Sequence, residues 1–345
     1  MPERAWGFDS PLSHPANNDG GGSLVLTRLS VPVRTPVPPE MPSRPPSMSA
    51  LALTLLVVVA GIAVAVGAGL PTLWQRERPG SFAVRCDWSH SLRDDPILTP
   101  DGSGASHLHA FFGARAARAG ATRRDLLRSL TTCSDPADTA AVWVPAGTLN
   151  GQLRTPLWER TYYFGNGAQV GTLPANLKMI GGNAHATAPS QNPAVSWSCG
   201  NGTPIASHPY DCRPYRRTRP SVHGVVGRIE FPTCWDGSTL DPLERANGVV
   251  HPVGRGCPED HPHRIPRISV RVQFGVLDPC AGATPCGPDD DGAPIAFGLT
   301  SGPYHTLHAD FWNTWDQRAL DRLVRRCLHT STDCGNQGPP HEASP

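Results

Sequence analysis

The chain has 345 residues with 38 prolines and 35 glycines, while charged residues make up only 17%. That composition argues against a helix-dominated fold. A net charge of +1 gives no electrostatic reason to expect nucleic acid or an acidic partner.

Residues 1–48 are polar and proline-rich, and such a stretch cannot bury enough apolar surface to order itself, so it reads as disordered. Residues 51–70 carry no charge. A helix of that length spans about 30 Å, the thickness of a hydrocarbon core. The segment 49–71 therefore reads either as a transmembrane anchor or as the apolar region of a signal peptide cut after a small-residue site such as Ala63-Val64-Ala65. Arginines flank it on both sides and do not orient it.

Ten cysteines follow, all beyond residue 85, and none forms a Cys-x-x-Cys pair. Zinc-ribbon and thioredoxin-like readings are thereby weakened. An even, dispersed set downstream of an apolar segment points to disulfides in an oxidising compartment. Residues 84–335 are expected to form one extracellular domain, membrane-anchored or secreted, with 336–345 as a disordered tail. Cys280 with Cys286 and Cys327 with Cys334 are near enough in sequence to clip local loops; the remaining pairing stays open.

Within the domain, Thr122–Leu130 shows a short helical pattern with Thr122 as N-cap. Short β-prone runs then follow at 141–144, 161–164, 177–180, 195–199, 225–231, 268–274, 295–297 and 307–311, separated by glycine, proline and asparagine. Ile268, Val270 and Val272 alternate with Ser269, Arg271 and Gln273, as a half-buried strand should. A last helix is expected over Trp315–Leu328, capped by Asp316, with Leu320, Leu323, Val324 and Cys327 forming its apolar stripe. The pattern predicts a mainly β, disulfide-bonded domain of β-sandwich or jelly-roll type, with long loops and few short helices.

Two runs carry chemistry. In Ser103–Gly113, His107 and His109 lie one residue apart, so an extended chain would project both rings to one face. In Leu307–Phe311, His308 and Asp310 share a face in the same way. A carboxylate beside an imidazole orients the ring and fixes its tautomer. Asp236 stands between Trp235 and the turn glycine Gly237, where it is either a catalytic acid or a turn cap. His251 and His261 fall in proline-bounded loops.

The ordered series Asp95-Pro96-Ile97, Ser106–Gly113, Leu177–Gly181, Phe231–Gly237, Cys257-Pro258 with His261-Pro262, and His308–Phe311 with Asn313 and Trp315-Asp316 resembles the uncharacterised extracellular domain family DUF1996 over residues 94–317. Pro252 stands where that family usually has an aromatic residue. The resemblance implies an exported domain and no particular activity.

Three functions are compatible with these residues. One is an enzyme, a hydrolase or lyase, acting on cell-wall or environmental polysaccharide. His107, His109, His308, Asp310 and Asp236 would be its catalytic candidates, and Lys178, Trp235, His251 and His261 its substrate contacts. The second is a divalent metal site, zinc or copper, with His107, His109, His308 and the Asp310 carboxylate as ligands. The third is a non-catalytic glycan-binding module on a membrane stalk. The expected partners are thus a glycan and, through residues 49–71, a membrane; nucleic acid is not expected.

Overall fold

The computed structural model describes residues 79–165, 170–254, 256–282 and 295–338. The segments 1–48 and 49–71 and the tail from 339 lie outside the described residues. Among the described residues no helix is long and apolar enough to cross a membrane.

A strand that the sequence pattern does not announce organises the domain. It is β1 (Ser81–Leu92), twelve residues long. The other strands among the described residues are β2 (His109–Gly113), β3 (Ala141–Pro145), β4 (Gly147–Leu149), β5 (Gln152–Arg154), β6 (Trp158–Phe164), β7 (Lys178–Gly182), β8 (Val195–Ser198), β9 (Val226–Glu230), β10 (Cys234–Trp235), β11 (Val249–Val250), β12 (His263–Arg264), β13 (Arg267–Gln273), β14 (Phe297–Leu299), β15 (Gly302–Pro303), β16 (His308–Trp312) and β17 (Asp333–Asn336). The helices are α1 (Arg123–Leu127), α2 (Arg213–Thr218) and α3 (Gln317–Leu323).

The first half of β1 pairs with β6 and its second half with β2, so one strand serves two antiparallel ladders. The front ladder runs β7-β16-β3-β2-β1 and the back ladder β1-β6-β13-β9-β8, with β17 added to β1 in parallel. The fold is mainly β, as the short β-prone runs predict, and both ladders are antiparallel. The inner faces of the ladders meet closely. A Cβ on Gly181 of β7 would stand 3.0 Å from Ile229 and 3.1 Å from Phe231, and the rings of Phe231 and Phe311 lie 6.2 Å apart. Phe112, Val142, Met179 and Ala309 of the front ladder share one buried cluster with Ile229, Ile268 and Val270 of the back.

Strand side chains alternate, so a second set faces away from this core. On the front ladder that set is apolar too. Phe111, Trp143 and Trp312 are buried with Ile97, Ala117 and Leu126, which come from the loops 93–108 and 114–131 and from α1. Each large side chain so covered contributes on the order of 1.5–3 kcal/mol, enough to hold these loops against the sheet. β2, β3 and β16 are consequently buried on both faces.

The helix ends follow the sequence. Thr122 and Asp125 form a reciprocal capping box on α1. Asp316 caps α3 by accepting from the Ala319 N–H, and the predicted stripe residues Leu320, Val324 and Cys327 are buried. The last turn widens at Val324–Leu328. Disulfides join Cys86 to Cys133, Cys199 to Cys212, Cys234 to Cys257 and Cys327 to Cys334, the last being the expected local clip. Cys280 is also disulfide-bonded, but its expected partner Cys286 lies outside the described residues. Such bridges suit an extracellular or secreted protein. β17 and the Gln337 N–H, which donates to the Ala83 carbonyl at 2.8 Å, carry ordered chain into the stretch read from sequence as tail. The Cys327–Cys334 bridge and the parallel pairing to β1 hold that stretch down, and neither is visible in its composition.

One buried carboxyl sets a pH response. Glu159 on β6 is fully buried; one oxygen accepts from Thr161 Oγ1 at 2.9 Å and the other has no partner. Burial pushes its pKa well above the usual carboxylate range. The folded chain therefore binds a proton that the unfolded chain releases. The stability this supplies is complete below the unfolded pKa and is lost as pH rises through the folded one. Glu159→Gln should raise Tm at pH 8 relative to the parent and change it little at pH 4. Thermal unfolding at both values checks this, and a Tm cost that grows with pH would contradict it.

Candidate metal centre

The loop-covered face of the front ladder holds the candidate site. His109 leads β2, with Phe111 next on its face; His308 leads β16, with Asp310 and Trp312 next on its face. The register brings the two rings together. His109 pairs with Pro145 across one edge of β3, and Asp310 pairs with Trp143 across the other, which puts His308 level with Pro145 from the far side. The imidazole centroids stand 5.7 Å apart.

His107 completes the group from the loop just before β2. Strand structure begins only at His109, yet the two rings still meet, with centroids 4.2 Å apart, and His107 lies 5.1 Å from His308. One nitrogen from each of the three rings lies within 4.8 Å of the others. The crossing at Leu108 is pinned, because its carbonyl accepts from the Ala146 N–H at 2.9 Å and from Thr300 Oγ1 at 2.5 Å. Behind His308, Gly182 adopts φ +86°, and a Cβ there would stand 2.6 Å from the Leu307 carbonyl oxygen. Only glycine lets β7 pass this close.

Hydrogen bonding sets the tautomers. His109 Nδ1 lies 2.9 Å from the Asp94 carbonyl oxygen, and His308 Nδ1 lies 2.9 Å from that of Thr306. A carbonyl only accepts, so each Nδ1 carries the proton and each Nε2 presents a lone pair. The Nε2 atoms of His107 and His109 are buried and have no partner. Asp94 is itself fixed: its carboxylate accepts from Ser103 Oγ at 3.2 Å, the Gly104 N–H at 2.9 Å and the Ala119 N–H at 3.0 Å.

Burial keeps the rings neutral. It lowers the His107 pKa to about 4, with the neighbouring His308 adding to the effect. His308 is also lowered to about 4 by burial, against the opposing bond to the Thr306 carbonyl. His109 falls well below its ordinary value through burial and then through His107 and His308. Two carboxyls respond in the opposite sense. Burial raises Asp95, although one of its oxygens accepts from the Ile97 and Leu98 N–H groups at 2.9 and 3.0 Å. Burial, and then Asp95, raise Asp310 well above its usual range, and Asp310 Oδ2 has no partner.

The remaining candidates fall elsewhere. Asp310 shares the face of His308 but is outside the set of converging ligand atoms. Lys178 sits four residues along β7 from Gly182, the residue that pairs with His308, which is roughly 13 Å away along the strand. There it pairs with Asp241 at 2.6 Å and lies 4.6 Å from the Trp312 ring. Asp236 caps a turn, accepting from the N–H groups of Ser238 and Thr239, both at 2.8 Å, and from Thr239 Oγ1. Although burial opposes it, those bonds hold Asp236 at about 2, the ionised state of a turn cap rather than of a proton donor. Trp235 belongs to the small β11-β10-β12 sheet, where its N–H donates to the Thr239 carbonyl at 2.6 Å. His261 is buried between the Asn247 carbonyl and Asp260, and His251 is exposed.

Sequence reasoning missed the residues that hold the rings. Asp95 entered only as part of the Asp95-Pro96-Ile97 family motif and Asp94 not at all; the Asp-Asp-Pro turn pattern was the available signal. Thr306 acts through its backbone and leaves no side-chain signal. His185, an exposed residue just past β7, is close enough to act electrostatically on both His107 and His308.

Three neutral imidazoles with converging nitrogens, two of them (His107 and His109) with buried Nε2 atoms that lack a partner, form a donor set suited to zinc or copper, and Nδ1–H bonds to carbonyls are the usual support for such ligands. The sequence model of the family described as Domain of unknown function (DUF1996) matches residues 95–315, and the chain belongs to that family. No curated protein and no solved structure matches the chain.

In metal-free protein, ¹⁵N-resolved NMR titration should show His109 and His308 as Nδ1–H tautomers. All three rings should stay neutral from pH 8 down to 5, with His107 and His308 protonating near pH 4. A midpoint near the ordinary 6.5 for either of those two would contradict the assignment.

Proposed function

We propose that this chain is an exported metalloprotein in which His107, His109 and His308 bind one divalent cation, zinc or copper, for chemistry on a glycan. The observation that carries the reading is the convergence of three neutral imidazole nitrogens, two of them oriented by Nδ1–H bonds to the Asp94 and Thr306 carbonyls. Three protein ligands leave a coordination position for water or a substrate oxygen, as in catalytic rather than closed structural zinc sites. Such an ion supplies Lewis acidity and lowers the pKa of its bound water. Asp95 and Asp310, whose pKa values burial raises, are the proton-holding groups beside it.

The same proposal takes the two facing ladders as a β-sandwich and residues 49–71 as the export signal or membrane anchor. Polysaccharide is the substrate class because the domain is disulfide-bonded and suited to an extracellular setting, where glycans are the abundant polymer. Asp95 and Asp310 could serve as the acid or base in either hydrolysis or lyase chemistry.

Elemental analysis of the purified full chain, loaded with zinc or copper and desalted, should give one ion per chain. His107→Ala, His109→Ala and His308→Ala should each lose most of it while keeping the parent far-UV spectrum. Lys178→Ala and His261→Ala should leave the stoichiometry unchanged. Metal at background in the parent, or full occupancy in all three histidine variants, would sink the proposal. Product analysis on a polysaccharide panel then separates an enzyme from a binding module: new ends that require His107 mean turnover.

A further inference from the structure

The outer face of the back ladder carries a second feature, made of residues the metal centre does not use. Cross-strand register places four arginines directly opposite one another on adjacent strands: Arg85 on β1, Arg160 on β6, Arg271 on β13 and Arg228 on β9. Neighbouring strands lie about 4.8 Å apart, so the row spans about 14 Å. Like charges directly opposite each other are destabilising, and a sheet surface has no structural need for such a row. The arginines line a groove of about 450 Å³ whose lining contains no aspartate or glutamate.

Aromatic rings hold three of the four guanidinium groups, and carboxylates neutralise only the two outer ones. Arg271 stacks 4.1 Å from the Tyr162 ring, while Arg85 and Arg160 lie 5.3 and 5.6 Å from the Trp158 ring. Asp87 pairs with Arg85 at 2.9 Å and Glu230 with Arg228 at 2.6 Å. The two central arginines differ. Arg160 meets Tyr162 Oη at 3.5 Å; Arg271 meets the same oxygen at 3.4 Å and Asn201 Oδ1 at 3.2 Å. Among the described residues neither forms an ion pair with a carboxylate. The Nε atoms of Arg85, Arg160 and Arg271 are buried and have no partner. Stacked, pre-oriented guanidinium forks with unused donors are built to receive planar or tetrahedral oxyanions.

We propose that this groove binds an acidic polysaccharide, one bearing carboxylate or sulfate groups along its length, with Arg160 and Arg271 as the central contacts. A row that crosses four strands fits a polymer with repeated charges better than a single small anion. The glycan assignment rests on the function proposed above. The anion specificity rests on the arginine row alone.

The test uses the full chain with polygalacturonate, dextran sulfate, uncharged dextran and a single-stranded oligonucleotide as probes, read by calorimetric titration and by the ligand-induced shift in Tm. Polygalacturonate or dextran sulfate should bind and raise Tm, with affinity falling as salt rises, while dextran should not bind. Which of the two binds more tightly tells carboxylate from sulfate recognition. Arg160→Gln/Arg271→Gln should weaken binding at least tenfold and, by relieving like-charge repulsion, should itself melt no lower than the parent. Arg160→Lys/Arg271→Lys keeps the charge and should show an intermediate loss. Arg322→Gln, at an exposed arginine of α3 outside the groove, should bind as the parent does.

Acidic polymer bound equally well by the Arg160→Gln/Arg271→Gln chain would overturn the inference, as would dextran bound as tightly as the acidic polymers. Either result would leave the glycan reading standing. Failure of every polysaccharide would overturn both. Tighter binding of the oligonucleotide than of either acidic polysaccharide would replace the proposed ligand class.

Discussion

The hydrogen bond from His109 Nδ1 to the Asp94 carbonyl is the contact on which the site depends. It joins the covering loop to the sheet, fixes the tautomer of a fully buried ring and turns its Nε2 toward His107 and His308. Without it the ring could present either nitrogen, and the loop carrying Asp95 would have one fewer tie to β2. The Asp94 carboxylate makes the arrangement rigid by gathering N–H and O–H groups from two further loop segments. One residue thus serves the fold through its side chain and the site through its backbone.

The site exists because the front ladder is buried on both faces. A sheet with one solvated face would leave these histidines hydrated, near their ordinary pKa and partly protonated at neutral pH. Here Phe111, Trp143 and Trp312 draw the loops down over the outer face, and the histidines at the strand ends are desolvated along with them. Neutral rings with unused lone pairs follow from that burial. The back ladder shows the opposite solution. Its outer face carries a groove, and aromatic rings hold Arg160 and Arg271 there.

Much of this was legible in the residue order. Short β-prone runs bounded by turn residues located β3, β6, β7, β8, β9, β13 and β16, with period-two alternation visible in β13, and the capping residues Thr122 and Asp316 located the helix starts. The same alternation paired His308 with Asp310 on one face. What could not be read was anything set by pairing between distant strands. β1 escaped notice because its sequence is polar enough to resemble a loop, and its role comes from serving two ladders. The meeting of His109 and His308 depends on their common level at Pro145, which no local pattern encodes. The arginine row is hidden for the same reason: a net charge of +1 conceals four cations that only register brings into line. Asp236 resembled a catalytic acid in sequence but is a turn cap, because its two oxygens are taken by its own loop.

X-ray absorption at the zinc edge of the metal-loaded full chain bears most directly on the central claim. Convergence of His107, His109 and His308 on one ion predicts three imidazole nitrogens at about 2.0–2.1 Å with one further light ligand and no sulfur. Fewer than three imidazole scatterers, or a six-oxygen shell typical of a surface-bound ion, would contradict it.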